Sequence, residues 1–377
     1  MKYIDEFRDQ KLVESLVQSI KQAVSPKQTY RLMEFCGGHT HAIFRFGLNG
    51  LLPENVQLIH GPGCPVCVLP IARLDQAIAI AKSKDVVLCT YGDMMRVPAS
   101  KKRSLIKAKA EGADVRMVYS SADALNIARD NPFKQIVFFA IGFETTTPPT
   151  AVVIKQAQQL ALTNFSVFCN HILTPPALQA LLSSTPEYEQ IAVDGFIGPA
   201  HVSTVIGSSS YQFVAEQFQR PVVIAGFEPA DILQSILMLI NQLNEGRAEI
   251  ENEYTRAVTE EGNTKAKTII DEVFETSESF EWRGLGWLPH SGLKIRDNYS
   301  YFDAEKRFDI VEELSSENKA CECPSVLRGS IKPNECKIFG TVCTPDNPIG
   351  ACMVSSEGAC AAYYQYARNV TKRSAHG

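Results

Sequence analysis

The stretch VQLIHGPGCPVCVLPIARLDQAIAIAKS, from Val56 to Ser83, decides the fold class. It opens on a short run of branched apolar side chains, breaks in a Gly/Pro/Cys loop, and continues with apolar residues at helical spacing. The same strand, loop and helix phrase recurs outward in both directions. YRLMEF leads into CGGHTH, KDVVLCT into YGDMMRVP, and DVRMVYS into SADALNIARDN, where Ser120, Ser121 or Asp123 caps the helix. After a break at Asn131-Pro132 a second series follows: KQIVFFAIGFETTTPP with the helix AVVIKQAQQLAL, FSVFCNH with PPALQALLSS, then DGFIGPAHVS and PVVIAGFEP. Alternation of this kind is the α/β signature. It predicts two consecutive Rossmann-like α/β domains, residues 1–130 and 131–239. A long helix is expected from Asp231 to about Arg256, and a cysteine-rich C-terminal domain over residues 240–377. Gly142-Phe143-Glu144 and Gly226-Phe227-Glu228 echo one another, but three shared residues do not make a repeat.

With 377 residues the chain exceeds what one hydrophobic core usually holds, so several domains are expected. Hydrophobic residues make up 45% and the formal net charge is −5, which supplies no basic face for nucleic acid or an anionic membrane. The N-terminal MKYIDEFRDQKLVESL is amphipathic and acidic and reads as a surface helix, not a signal peptide. The longest apolar run, Ile232 to Ile240, falls well short of the roughly 20 residues of a membrane span. A cytoplasmic protein is expected. In that reducing compartment, eleven cysteines point to metal ligands or redox groups more than to structural disulfides.

Five groups of residues carry chemistry. Glu34-Phe35-Cys36-Gly37-Gly38-His39-Thr40-His41 follows the strand YRLMEF, where open α/β sheets bind ligands. A thiolate and two imidazoles offer soft and borderline metal ligands, against the plain alternative of a glycine turn with an incidental thiol. Gly61-Pro62-Gly63-Cys64-Pro65-Val66-Cys67 places a C-x-x-C pair at a helix start, which suits a dithiol switch or half of a metal site. In the tail, Cys323, Cys336, Cys343, Cys352 and Cys360, with Cys321 just ahead, suit a [4Fe–4S] cluster or a structural zinc, which spacing does not separate. Gly142 to Pro149 with Glu144, and Gly198 to Ser203 with His201, suit anion binding or helix capping. His201 is a candidate proton carrier or a hydrogen-bonded core histidine. Cys89 and Cys169 read as core, and Asp93 with Arg96 either face the Cys36 site or fix a loop.

The phrases CGGHTHAIF, IHGPGCPVCVLP, YGDMMRVP, GFETTTP, GFEP, EWRGLG and CMVSSEGACAAYY, in this order between residues 31 and 366, resemble the signature segments of the HypD family of hydrogenase maturation factors. The resemblance implies two α/β domains around a cleft and a third domain holding a [4Fe–4S] cluster. It implies work in a stable complex with HypC, on which an iron ion gains cyanide and carbonyl ligands, and through HypC an indirect link to the hydrogenase large subunit. Cyanide would arrive transiently from HypE, which receives its carbamoyl group from HypF. Carried over by motif, Cys36 is the iron-site thiolate, His39 its neighbour, and Cys64 with Cys67 the redox-active pair at that site. Cys323, Cys336, Cys343 and Cys360 match the family's cluster ligands, with Cys352 as an alternative fourth. Where relatives have Cys-Gly, this chain has Cys323-Pro324, and Cys321 competes for that role. His41, Asp93, Glu144 and His201 are supporting candidates. Two rivals remain: a cluster-dependent thiol-disulfide reductase, which gives CGGHTH no task, and a zinc-stabilised docking protein.

Overall fold

The computed structural model describes residues 4–183, 191–310, 315 and 317–367. Nine strands build two parallel sheets: β1 (Tyr30–Glu34), β2 (Val56–His60), β3 (Val86–Thr90), β4 (Asp114–Met117), β5 (Gln135–Gly142), β6 (Phe165–His171), β7 (Gly195–Pro199), β8 (Val222–Ala225) and β9 (Ile250–Asn252). The first sheet has the order β2-β1-β7-β8-β9 and the second β4-β3-β5-β6, with every pairing parallel. Strands covered by helices on both faces carry unbroken apolar runs, and all five residues of β3 and of β7 are buried.

The α/β class agrees with the sequence, but the two units are not consecutive. β1 pairs with β2 on one side and with β7 on the other, so the first sheet draws on residues 30–60 and 195–252. The second sheet, residues 86–171, sits within the connection between β2 and β7. Parallel neighbours need a crossover, and nothing limits its length to one helix. The sheets therefore do not divide the chain at 130/131. Nor does the chain change character at 240, which falls inside the helix Pro229–Glu245. That helix stops at Gly246 in the left-handed conformation, φ 67°, ten residues before Arg256.

Helix α1 (Gln10–Ala23) forms as expected: Asp9 accepts from the Leu12 amide at the N-cap, and Leu16, Val17 and Ile20 enter the core. Each such buried side chain contributes about 1.5–3 kcal/mol of apolar transfer. Ser120 and Asp123 close a capping box on the helix Ser121–Asp130. Beyond Asn252 come a helix (Thr264–Val273), two short antiparallel pairs and a series of single turns. The tail packs against the rest of the molecule. Cys323, Cys343, Cys352 and Cys360 share one apolar core with Cys64, Cys67 and the second sheet's Leu88, Val137 and Phe139. No helix among the described residues is long and apolar enough to cross a membrane.

Candidate functional site

Four of the five singled-out groups lie where strands end, at the carboxyl ends of β1, β2, β5 and β7. Strands β1 and β2 run in register to Glu34 opposite His60, so the CGGHTH and GPGCPVC loops leave side by side. The Gly37 amide donates to the Gly63 carbonyl at 3.2 Å. A Cβ on Gly63 would lie 2.2 Å from the Cys36 nitrogen, so only glycine lets the two loops meet this closely.

Cys36 is the N-cap of helix α2 (Gly37–Arg45) and is 2% exposed. Burial pushes its thiol well above the ordinary range, with Glu357 adding to the rise, and the His39 and Gly38 amides only partly offset this. The sulfur is therefore a neutral thiol at neutral pH. Its Sγ lies 3.5 Å from His201 Nδ1. Burial holds His201 neutral, with its pKa lowered to about 4.

His39 is fully buried. Its Nε2 lies 3.0 Å from the Ala225 carbonyl and 2.9 Å from that of Gly226, which makes Nε2 the protonated nitrogen. Its Nδ1 then carries a free lone pair and has no partner among the described residues. Burial lowers its pKa to about 4, so this lone pair is available at neutral pH. The Phe227 ring lies against both imidazoles, 4.7 Å from His39 and 5.3 Å from His201 between centroids. Phe227 itself is fixed by the turn before Pro229–Glu245, where Asp231 accepts from the Glu228 amide and from Arg256.

Under this layer lies a cluster built on Glu34, which opens the first singled-out motif without a role of its own there, and on His60, which the sequence reading passed over. Buried Glu34 accepts from the Cys36 amide at 3.0 Å, from His60 Nδ1 at 2.6 Å and from the Thr40 hydroxyl. Glu34 and His60 close their strands and read as strand residues. The paired polar residue before each Gly/Cys loop was the available signal. Glu357 was missed too, since only folding brings its charge to the Cys36 sulfur.

Cys64 and Cys67 are joined in a disulfide with 5.2 Å between their Cα atoms, on helix α3 (Pro65–Val68). The Cys67 amide donates to Cys64 Sγ at 3.2 Å. Glu144, 3% exposed, accepts from the Thr174 amide at 2.7 Å and its hydroxyl at 2.8 Å, and burial raises its carboxyl to about 7. Burial raises the Tyr211 hydroxyl, which accepts from Ser203 Oγ at 3.2 Å. Asp93 is exposed and acts on Glu357, while Arg96 donates to the Pro345 carbonyl. His41 turns away: its Nδ1 is 3.3 Å from the Ser356 carbonyl and its ring meets Tyr366. Cys89 and Cys169 are core thiols pushed up to about 12 by burial.

In the tail, hydrogen bonds from Cys323 and then Cys360 draw the Cys352 thiol down, and Cys321 is hydrogen-bonded to Cys323. A Cβ on Gly350 would lie 2.4 Å from both the Cys321 and Cys323 sulfurs. Cys343 accepts from the Ile349 amide at 3.4 Å and feels Cys323 and Cys321. Cys336 is half-buried and outside these sulfur contacts. Among the described residues no three side chains already stand in metal-ligand geometry. The donor chemistry of the gathered thiols nonetheless fits a [4Fe–4S] cluster, with Cys352 placed more centrally than Cys336.

Over residues 11–367 the chain matches the profile described as "HypD: Hydrogenase formation hypA family". The chain belongs to the HypD family. HypD-family relatives include the hydrogenase expression/formation protein HupD of Azotobacter chroococcum, 64% identical over 98% of this chain and 97% of the relative. The hydrogenase maturation factor HypD of Azotobacter vinelandii is 63% identical over the same shares. That of Escherichia coli K12 is 47% identical over 97% of this chain and 98% of its own length.

Proposed function

We propose that this HypD-family protein acts in [NiFe] hydrogenase maturation as a redox-active scaffold that, with HypC, assembles the Fe(CN)2CO unit. The observation that carries this reading is the Cys36 site: a buried thiol, a buried imidazole with a free Nδ1 lone pair, and a C-x-x-C loop pressed against the Cys36 backbone. Iron is the cargo. Cys36, with a thiolate of HypC, holds it, and His201 accepts the proton that Cys36 gives up on binding. His39 offers Nδ1 to the iron or to an incoming ligand, and Phe227 keeps water from that face. HypE delivers cyanide transiently, and HypC carries the product toward the hydrogenase large subunit.

The ligands of a [4Fe–4S] cluster are Cys323, Cys336, Cys343 and Cys360 by the family pattern, with Cys352 the competitor for the fourth place. When bound, the cluster supplies one-electron reducing equivalents. Opening of Cys64–Cys67 takes two electrons and two protons and yields two thiols beside Cys36. The shared core of the tail and helix α3 supports this coupling. The protein is a scaffold carrying an intermediate, not a conventional turnover enzyme.

A second reading, a cluster-dependent thiol-disulfide reductase, is favoured by the disulfide lying in the same core as the tail cysteines. Anaerobic purification with HypC, infrared spectroscopy in the cyanide and carbonyl region, and iron and sulfide analysis separate the two. The scaffold shows bands that vanish in Cys36→Ala. A cluster with no such bands in a maturation-competent host, and a Cys36→Ala variant that still reduces disulfides, overturns it.

A further inference from the structure

A groove of about 400 Å³ lies away from the Cys36 site, between the 96–107 loop and residues 317–318 and 346–349. Arg96, Lys101, Lys102, Arg103 and Lys107 line it, against two acids, Glu317 and Asp346. In a chain with net charge −5 this is a local reversal of sign. Glu317 is already engaged by Arg283 at 2.7 Å. Arg103 is braced by Asp75 at 2.8 Å, and Lys107 donates to the Lys102 carbonyl at 2.7 Å. Lys101 and Lys102 are exposed and have no carboxylate partner among the described residues. The apolar part of the wall is Ile71, Pro98 and Ile349, with Ile106 48% exposed at the rim.

The groove continues into a shallow recess lined by Cys321 and Cys323, and the two share Ile71, Pro98, Glu317, Asn318 and Ile349. From this side the tail sulfurs are reached without passing the Cys36 cleft.

We propose that this basic groove docks an acidic, one-electron carrier protein of the ferredoxin type, which delivers electrons on the Cys321/Cys323 side. The proposal rests on the redox part of the function proposed above. Two reduced carriers each give one electron and leave oxidised. The Cys64–Cys67 bond breaks and takes up two protons from solvent, so the step balances. Exposed cations ringing a small apolar wall suit a protein surface, because rim charges steer encounter and set its salt dependence. A small anion would call for buried, aimed donors, which the exposed lysines are not.

The test uses the cluster-loaded protein in complex with HypC and a reduced acidic [2Fe–2S] ferredoxin. Affinity is measured over a salt series, and the Cys64/Cys67 thiols are counted by alkylation and mass. Affinity that falls steeply with salt, and falls roughly tenfold or more in Lys101→Glu/Lys102→Glu, supports the proposal, provided dithionite opens the disulfide equally in both proteins. Lys101→Ala/Lys102→Ala gives a smaller loss in the same direction. Unchanged ferredoxin affinity and thiol yield in both variants overturns it. So does saturable binding of inorganic phosphate or ATP at the groove with no ferredoxin binding. If dithionite itself leaves Cys64–Cys67 closed, the redox part of the proposed function fails, while ferredoxin affinity still decides the docking.

Discussion

The Sγ of Cys36 and the Nδ1 of His201 stand 3.5 Å apart across a sequence separation of 165 residues. Cys36 lies in the turn after β1, and His201 in the first turn of the helix Ala200–Ile206, directly after β7, the strand paired with β1. A buried neutral thiol beside a buried neutral imidazole is a donor and acceptor pair, in which a proton displaced from Cys36 Sγ has His201 Nδ1 to receive it.

Removing that acceptor weakens iron binding without abolishing the thiol. His201→Ala is expected to lower iron affinity in the HypC complex about 10–100-fold, the usual cost of losing a group that supports a metal ligand. Cys36→Ala removes binding altogether. Anaerobic iron titration reads both, and equal affinity in His201→Ala and the parent would show that His201 only packs.

Glu34 governs folding of the site floor. Glu34→Ala leaves the Cys36 amide, the Thr40 hydroxyl and His60 Nδ1 without their shared acceptor. Each stranded buried group costs about 1–3 kcal/mol, so a loss of several kcal/mol is expected in urea unfolding. A midpoint within error of the parent would contradict the geometry.

Glu144 gives a pH signature. Its folded pKa of about 7 lies above the ordinary 4.5, so the folded state holds a proton that the unfolded state releases. The stability it contributes is full below pH 4.5 and is lost as pH rises through 7, by up to roughly 3 kcal/mol. Glu144→Gln should flatten this part of the profile. Urea midpoints measured from pH 4.5 to 8 check it, and parallel curves for the two proteins would count against a buried proton.

Among the tail cysteines, Cys323→Ser, Cys343→Ser and Cys360→Ser are each expected to lose iron and sulfide. Cys336→Ser and Cys352→Ser separate the family pattern from the sulfur contacts. The pattern predicts that Cys352→Ser keeps its iron and sulfide and Cys336→Ser does not. The reverse result would assign the fourth place to Cys352, which Cys323 and Cys360 already touch.

Much of this was legible in the sequence for local reasons. Branched apolar runs ending in Gly, Pro and Cys placed β1 to β8, and the loops holding Cys36 and Cys64 announced themselves by composition. The sheet order was not legible, because parallel buried strands are apolar on both faces and say nothing about which neighbour each will take. The partnership of Glu34 with His60 was invisible for a related reason: it comes from the register of β1 with β2. The helix end at Gly246 was a missed signal, a glycine after a long amphipathic run. The direction of His41 was not legible either: two helical positions beyond His39, its ring faces the Ser356 carbonyl.

Placing the second sheet between β2 and β7 sets an order of events for the growing chain. Cys36, Cys64 and Cys67 are synthesised early, but the strand that flanks β1, the imidazole of His201 and the carbonyls that orient His39 come only with residues 195–226. Contacts of such long range form late. A ribosome partway through this protein displays the thiols without their enclosure, which closes only after residue 226 has been made, past the midpoint of the 377-residue chain.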